Sequence, residues 1–185
     1  MKRVLWICVL SMFLFGCSAE NRQMERCISL RERLLVSGCA FRGKITADFG
    51  ESVYSFTLEC QMDAQGSLSF VVAEPEEISG ISGVIHAGKG KLEYADAVLA
   101  FPLLADGTLS PVSVPWVLIS ALRGGYMVSC GRDGDNLLLT VHDTFADDAL
   151  ELDVWLGENN LPIKAEILWQ GRRAVSIEVE DFRFV

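Results

Sequence analysis

Alternation is the feature that most constrains how this chain can fold. From Cys39, the odd positions Phe41, Gly43, Ile45, Ala47 and Phe49 alternate with Arg42, Lys44, Thr46 and Asp48. From Tyr54, the even positions Phe56, Leu58, Cys60 and Met62 alternate with Ser55, Thr57, Glu59 and Gln61. A period of two marks a strand with one face on a core and the other in water. Further apolar or alternating runs follow at 67–73, 83–86, 91–95, 126–130, 137–142, 150–156, 163–169 and 173–184. Gly66, Gly88-Lys89-Gly90, Asp133-Gly134-Asp135, Asn159-Asn160 and Gln170-Gly171 punctuate them with turn-forming residues. This spacing predicts about ten antiparallel strands and leaves no room for the long crossovers of a parallel sheet.

Parity carries more information. For the two apolar faces of the first hairpin to coincide, odd residues must oppose even ones. A two-residue turn at Phe49-Gly50 meets that condition and sets Cys39 opposite Cys60. In the last run the apolar positions change from odd (Val175, Ile177, Val179) to even (Phe182, Phe184), which predicts a bulge near Glu180-Asp181.

Two segments have a different period. Met24, Cys27, Ile28, Leu34 and Leu35 recur at helical spacing, with Glu25, Arg26, Glu32 and Arg33 on other faces, which predicts an amphipathic helix over 21–36 ended by Ser37-Gly38. Pro111 to Leu122 reads as a second helix with Ser110 as N-cap, restricted by Pro115. Its Val112, Val114, Trp116, Val117, Leu118, Ile119 and Leu122 make it apolar nearly all round, so it is expected to be buried on more than one side. A mainly β chain with two or three helices, one of them greasy throughout, suggests a sheet wrapped around helices.

Charge then narrows function. Among 185 residues there are 16 Lys and Arg against 25 Asp and Glu, a net charge of -9. Mean hydropathy is nevertheless +0.30. Disordered chains are too polar to match that, and a net negative chain without a basic run repels nucleic acid, so neither class applies. Part of the apolarity lies at the front. Lys2-Arg3 precedes Val4 to Phe15, twelve residues with Ser11 the one polar member, and then Gly16-Cys17-Ser18. That is the layout of a signal peptide, and twelve residues are too few to cross a hydrocarbon core of ~30 Å as a helix. With residues 1–16 removed, 14 Lys and Arg face 25 acids, a net of -11 on a domain that is still about half apolar.

Leu14-Phe15-Gly16-Cys17 resembles the lipobox of bacterial lipoproteins, in which cleavage precedes a cysteine that then carries diacylglycerol and an acyl chain such as palmitate. The resemblance implies lipidation of Cys17, a short tether over 17–23, a domain over 24–185, and an exported protein anchored to the cell membrane or the outer membrane. Several features in order resemble the LolA/LolB-like lipoprotein-carrier superfamily. They are the signal, the amphipathic helix, the strand meander, Pro-Glu-Glu-Ile-Ser-Gly-Ile at 75–81, Leu-Glu-Tyr at 92–94, the Ser-Pro-led helix at 110–122 and a closing Leu-Pro hairpin. That family implies a curved antiparallel sheet forming an unclosed half-barrel, plugged by helices on its concave side, with an apolar cavity for acyl chains between them. Here the lining would be Phe41, Ile45, Phe56 and Leu58 from the strands and Trp116 and Leu118 from the helix. The soluble carrier of the family is not lipidated, so Cys17 places this chain with the tethered members. Phe101-Pro102-Leu103-Leu104 is an apolar run flanked by loops, read as core or sheet edge.

Catalytic signals are weak. His142-Asp143 are neighbours on a strand and point to opposite faces, and His86 sits beside a turn. Asp133-Gly134-Asp135-Asn136 lacks the acidic residue an EF-hand places at position twelve, where Thr144 stands. The expectation is therefore no enzyme, no cofactor and no metal. Cysteine usage says more. With Cys8 removed and Cys17 lipidated, Cys27, Cys39, Cys60 and Cys130 remain, and an exported chain allows three complete disulfide pairings among four. The hairpin register favours Cys39 with Cys60, which leaves Cys27 with Cys130. The function expected is that of a monomeric, membrane-anchored envelope lipoprotein binding or carrying an acyl chain, a lipid or a lipoprotein. The alternative is a tethered structural or sensory module that binds a protein partner and no lipid.

Overall fold

The computed structural model describes residues 17–86, 92–94, 109–146 and 148–185. The expected signal segment 1–16 and the run 101–104 lie outside the described residues. A helix, α1 (Cys17–Val36), leads into β1 (Cys39–Asp48), β2 (Val53–Met62), β3 (Leu68–Glu74), β4 (Ser82–Ile85) and β5 (Leu92–Tyr94). After α2 (Val114–Gly124) come β6 (Tyr126–Asp133), β7 (Asn136–His142), β8 (Glu151–Leu156), β9 (Pro162–Trp169) and β10 (Arg172–Phe184). The ten strands among the described residues form one antiparallel, unclosed sheet in the order β5-β4-β3-β2-β1-β10-β9-β8-β7-β6. One meander therefore runs outward from β1 to β5. The stretch containing α2 carries the chain to the opposite edge, and a second meander returns until β10 pairs with β1.

The alternation translates directly into burial. Strand β7 reads half-buried and buried by turns, with Leu137, Leu139 and Val141 inward, and β8 repeats it with Leu152, Val154 and Leu156. Register joins these faces into rows. Leu139 pairs with Val154, Val154 with Ala165, Ala165 with Ile177, Ile177 with Ile45, and Ile45 with Phe56, so a single line of buried side chains crosses six strands. Each such burial contributes about 1.5–3 kcal/mol relative to exposure for the larger side chains. The helices lie over this concave face.

The first hairpin departs from expectation by two residues. Cys39 pairs with Met62 and Cys60 with Phe41, and the turn centres on Gly50-Glu51. Gly50 has φ 83, which suits the first central position of a two-residue hairpin turn, and the Asp48 carboxylate accepts its N–H at 2.8 Å. Parity is unchanged by a shift of two, so every side chain keeps its predicted face. The direct opposition of Cys39 and Cys60 is lost. The closing hairpin follows the turn chemistry that its residues predict: Gln170 and Gly171 both have positive φ, at 49 and 73, as a type I′ turn requires. The predicted bulge is present. Ala40 pairs with Arg183 but Arg42 with Glu180, and Asp181 takes φ 53. It turns Phe182 toward Phe41, whose ring stacks on it with centroids 5.7 Å apart.

Both helices differ in detail from the sequence reading. Helix α1 begins at Cys17, so it starts four residues before the predicted position 21. Its buried line is Cys27, Leu30 and Leu34, whereas Ile28 and Leu35 are exposed. At 100° per residue, 27, 30 and 34 fall on one narrow stripe, which packs against α2 and the edge strand β6. The second helical segment is joined from a 3-10 turn (Pro111–Ser113) and α2, and the Ser110 side chain caps nothing. Pro115 has no N–H to reach back to Pro111, so the first turn closes through the shorter bonds Ser113 N–H to Ser110 O and Val114 N–H to Pro111 O.

Candidate functional site

The concave face and α2 bring together the residues singled out as a cavity lining. Ile45, Leu58 and Leu118 have no exposed surface, and Phe41 and Phe56 are buried. All five belong to one continuous apolar core, against which the half-buried Trp116 packs. Val114, Pro115, Ile119, Ala121 and Leu122 of α2 are buried as well, so the helix is enclosed on most sides as its composition predicts. Of the six lining candidates, Phe41 alone borders any of the four surface clefts described, and none of those clefts is bounded by α2.

Polar contacts seat α2 at its ends. The Arg31 guanidinium on α1 donates to Leu122 O at 2.8 Å, Gly125 O at 2.7 Å and Ala121 O at 3.4 Å. These include carbonyls left without partners at a helix C-terminus, and a cation there also opposes the helix dipole. Burial pulls the Arg31 guanidinium below its ordinary range. Arg123 donates to Asp63 O and Ala64 O in the β2–β3 turn, and Trp116 Nε1–H donates to Gly66 O at 3.1 Å. Gly125 makes the close approach possible. A Cβ there would lie 2.6 Å from Val141 Cγ1 and 2.7 Å from Ala121 O.

The cysteines separate into two situations. Cys27 on α1 and Cys130 on the edge strand β6 bring their sulfurs to 3.2 Å across 103 residues of chain. Burial pushes the Cys27 thiol far up, reinforced by its hydrogen bond with Cys130. Burial also raises Cys130, while the same hydrogen bond lowers it. Cys39 and Cys60 are buried diagonal neighbours, each opposite another residue, and burial pushes Cys39 up to about 11.

The histidines have partners that neighbouring positions in the sequence do not reveal. His142 Nε2 lies 3.1 Å from Glu151 Oε2, its cross-strand partner, and His86 Nδ1 lies 3.2 Å from Ser67 Oγ. Asp133 and Asn136 flank the β6–β7 hairpin turn, with Gly134 at φ 60. Among the described residues no group of three His, Cys, Asp or Glu is arranged to hold a metal ion. No helix among them is long and apolar enough to cross a membrane.

No protein-family model matches the chain, and no curated protein matches it. Solved structures are similar to it in arrangement. One is an uncharacterized conserved protein from Thermus thermophilus, 9% identical, covering 88% of this chain and 87% of that one with a TM-score of 0.45. A LolA superfamily protein from Nitrosomonas europaea is 8% identical, covers 86% and 93%, and has a TM-score of 0.38. MucB is 16% identical over 91% of this chain and 59% of its own, with a TM-score of 0.46.

Sequence reasoning missed Arg31. One of four arginines on an amphipathic helix reads as solvent-facing charge, and its role exists only because the end of α2 lies beside it. It also missed that Arg22, Arg26, Arg33 and Arg132 line one cleft. The available signal was the spacing of the first three, which share one helical face.

Proposed function

We propose that the chain is an exported lipoprotein, anchored through acylated Cys17, that binds or carries a hydrophobic ligand between α2 and the concave face of the sheet and performs no catalysis. The observation that carries this reading is the seating of α2. A helix apolar on nearly every side covers the open side of an unclosed sheet; Arg31 holds the carbonyls at its C-terminal end, and its own Arg123 and Trp116 donate to carbonyls of the β2–β3 turn. Its long faces are held by apolar packing alone, which an acyl chain can replace without leaving a polar group unpaired. None of the clefts described is bounded by α2, whose inner face packs into the core, so a ligand enters by displacing it.

A second reading keeps the anchor but gives the domain a protein partner and no lipid, and the burial of Phe41, Ile45, Phe56, Leu58 and Leu118 in one core favours it. Native mass spectrometry of the acylated protein, purified in mild detergent and followed by displacement of a fluorescent fatty acid, separates the two. The first reading expects a co-purifying lipid, and probe binding that Leu118→Trp abolishes by overfilling the interior. Absence of both lipid and probe binding overturns it and leaves the second. In an oxidising compartment the same reading makes Cys27–Cys130 a disulfide joining α1 to the sheet edge.

A further inference from the structure

The largest cleft described, about 690 Å³, lies away from α2, along α1 and the β6–β7 and β8–β9 turns. Arg22, Arg26 and Arg33 from α1 and Arg132 from β6 line it, and among the described residues Glu25 is its one carboxylate. Among the described residues four arginines thus meet one carboxylate there, in a chain whose net charge is -9. Arg26 and Arg132 form no ion pair among the described residues, and the Arg33 guanidinium is held 3.9 Å over the Phe184 ring. An adjoining smaller cleft shares Arg26 and Arg132 and adds Asp135 and Glu158, which bound the positive region on that side. The cleft also contains Asn160, whose Oδ1 is buried without a hydrogen-bond partner. Cations gathered in a concave surface repel one another and focus a positive field, which an anion relieves. Guanidinium forks match the paired oxygens of phosphate, and an orphaned amide oxygen calls for a donor beside them.

We propose that this cleft binds the headgroup of an anionic phospholipid, its phosphate on Arg26 and Arg132 and a headgroup hydroxyl donated to Asn160. Position supports a lipid source. Arg22 and Arg26 follow Cys17 by five and nine residues on one helix, roughly 8 and 14 Å along its axis. A chain anchored at Cys17 therefore holds the cleft close to the headgroup layer. The inference takes the anchored state from the proposed function, but the cleft is separate from the α2 interior, so either can fail alone.

The test uses the mature acylated protein in nonionic detergent, with ³¹P NMR reading binding of short-chain phosphatidylglycerol and, separately, phosphatidylcholine of the same chain length. Phosphatidylglycerol is expected to bind preferentially. Arg26→Gln/Arg132→Gln is expected to weaken it by at least about tenfold, the least that losing a hydrogen bond to a charged group costs. Arg132→Glu alone is expected to abolish it. The thermal midpoint should hold in each variant, since neither arginine is ion-paired. Asn160→Gly, which keeps the φ of 57 accessible, should reduce affinity for phosphatidylglycerol. Equal binding of the two lipids, or unchanged binding in the folded arginine variants, overturns the proposal. So does binding of glycerol 1-phosphate as tight as that of the lipid, which assigns the cleft to a soluble phosphate ester. Tighter binding of a Glu-rich peptide that displaces the lipid would make it a peptide groove.

Discussion

Oxidising the mature protein should close Cys27 to Cys130 and leave Cys39 and Cys60 reduced. The sulfurs stand 3.2 Å apart and need approach by only about 1.2 Å to reach bonding distance. Cys130, half-exposed on an edge strand where Cys27 is buried, is the more accessible sulfur and the one that attacks oxidised glutathione once deprotonated. Its attack expels one glutathione thiolate and leaves a mixed disulfide. Cys27, once deprotonated, attacks the Cys130 sulfur and expels the second. Because 103 residues separate the pair, the chain-entropy relation gives the crosslink roughly 4.7 kcal/mol. For a chain of this size that is on the order of 10 °C in melting midpoint. The assay compares melts in oxidised glutathione and in dithiothreitol, then counts thiols after denaturation. Two free thiols and a higher midpoint are expected. Four free thiols, or a midpoint indifferent to redox conditions, would refute the reasoning.

Other outcomes follow from the same contacts. In the reduced protein, burial raises the Cys39 thiol from 9.0 to about 11, so the unfolded chain loses that proton first as pH rises. Stability should be complete below pH 9.0 and decline from there through 11, read as a falling urea midpoint. Arg31→Met should cost about 1.5–3 kcal/mol by uncapping α2, seen in equilibrium unfolding with secondary structure retained. Gly125→Ala should destabilise by about 1–3 kcal/mol, because its methyl meets Val141 and backbone oxygens, and an unchanged midpoint would show that the α2–β7 junction has slack.

Local pattern was enough to read much of the fold. The inward faces of β1, β2, β7 and β10, the Gln170-Gly171 turn and the bulge at Asp181 all follow from parity and turn chemistry. These depend on neighbours a few residues apart, which the sequence displays directly. The first hairpin marks the limit. Pairings whose residue numbers sum to 99 or to 101 bury the same side chains, so hydrophobicity cannot choose between them, and the left-handed φ of Gly50 decides. The buried stripe of α1 is undecided by sequence for a related reason: Ile28 and Leu35 are as apolar as Leu30 and Leu34, and only α2 and β6 beside the helix select which pair is covered.

By itself, then, the sequence determined which segments are strands, which face of each is buried, and that 111–122 is enclosed, because those properties follow from periodicity. The tertiary structure alone decided that β10 lies beside β1, that Cys27 meets Cys130, that Arg31 closes the end of α2, and that four arginines line one cleft. Each of these joins positions far apart along the chain. Their proximity is set by how one curved sheet folds around its helices, which is a property of the packed whole.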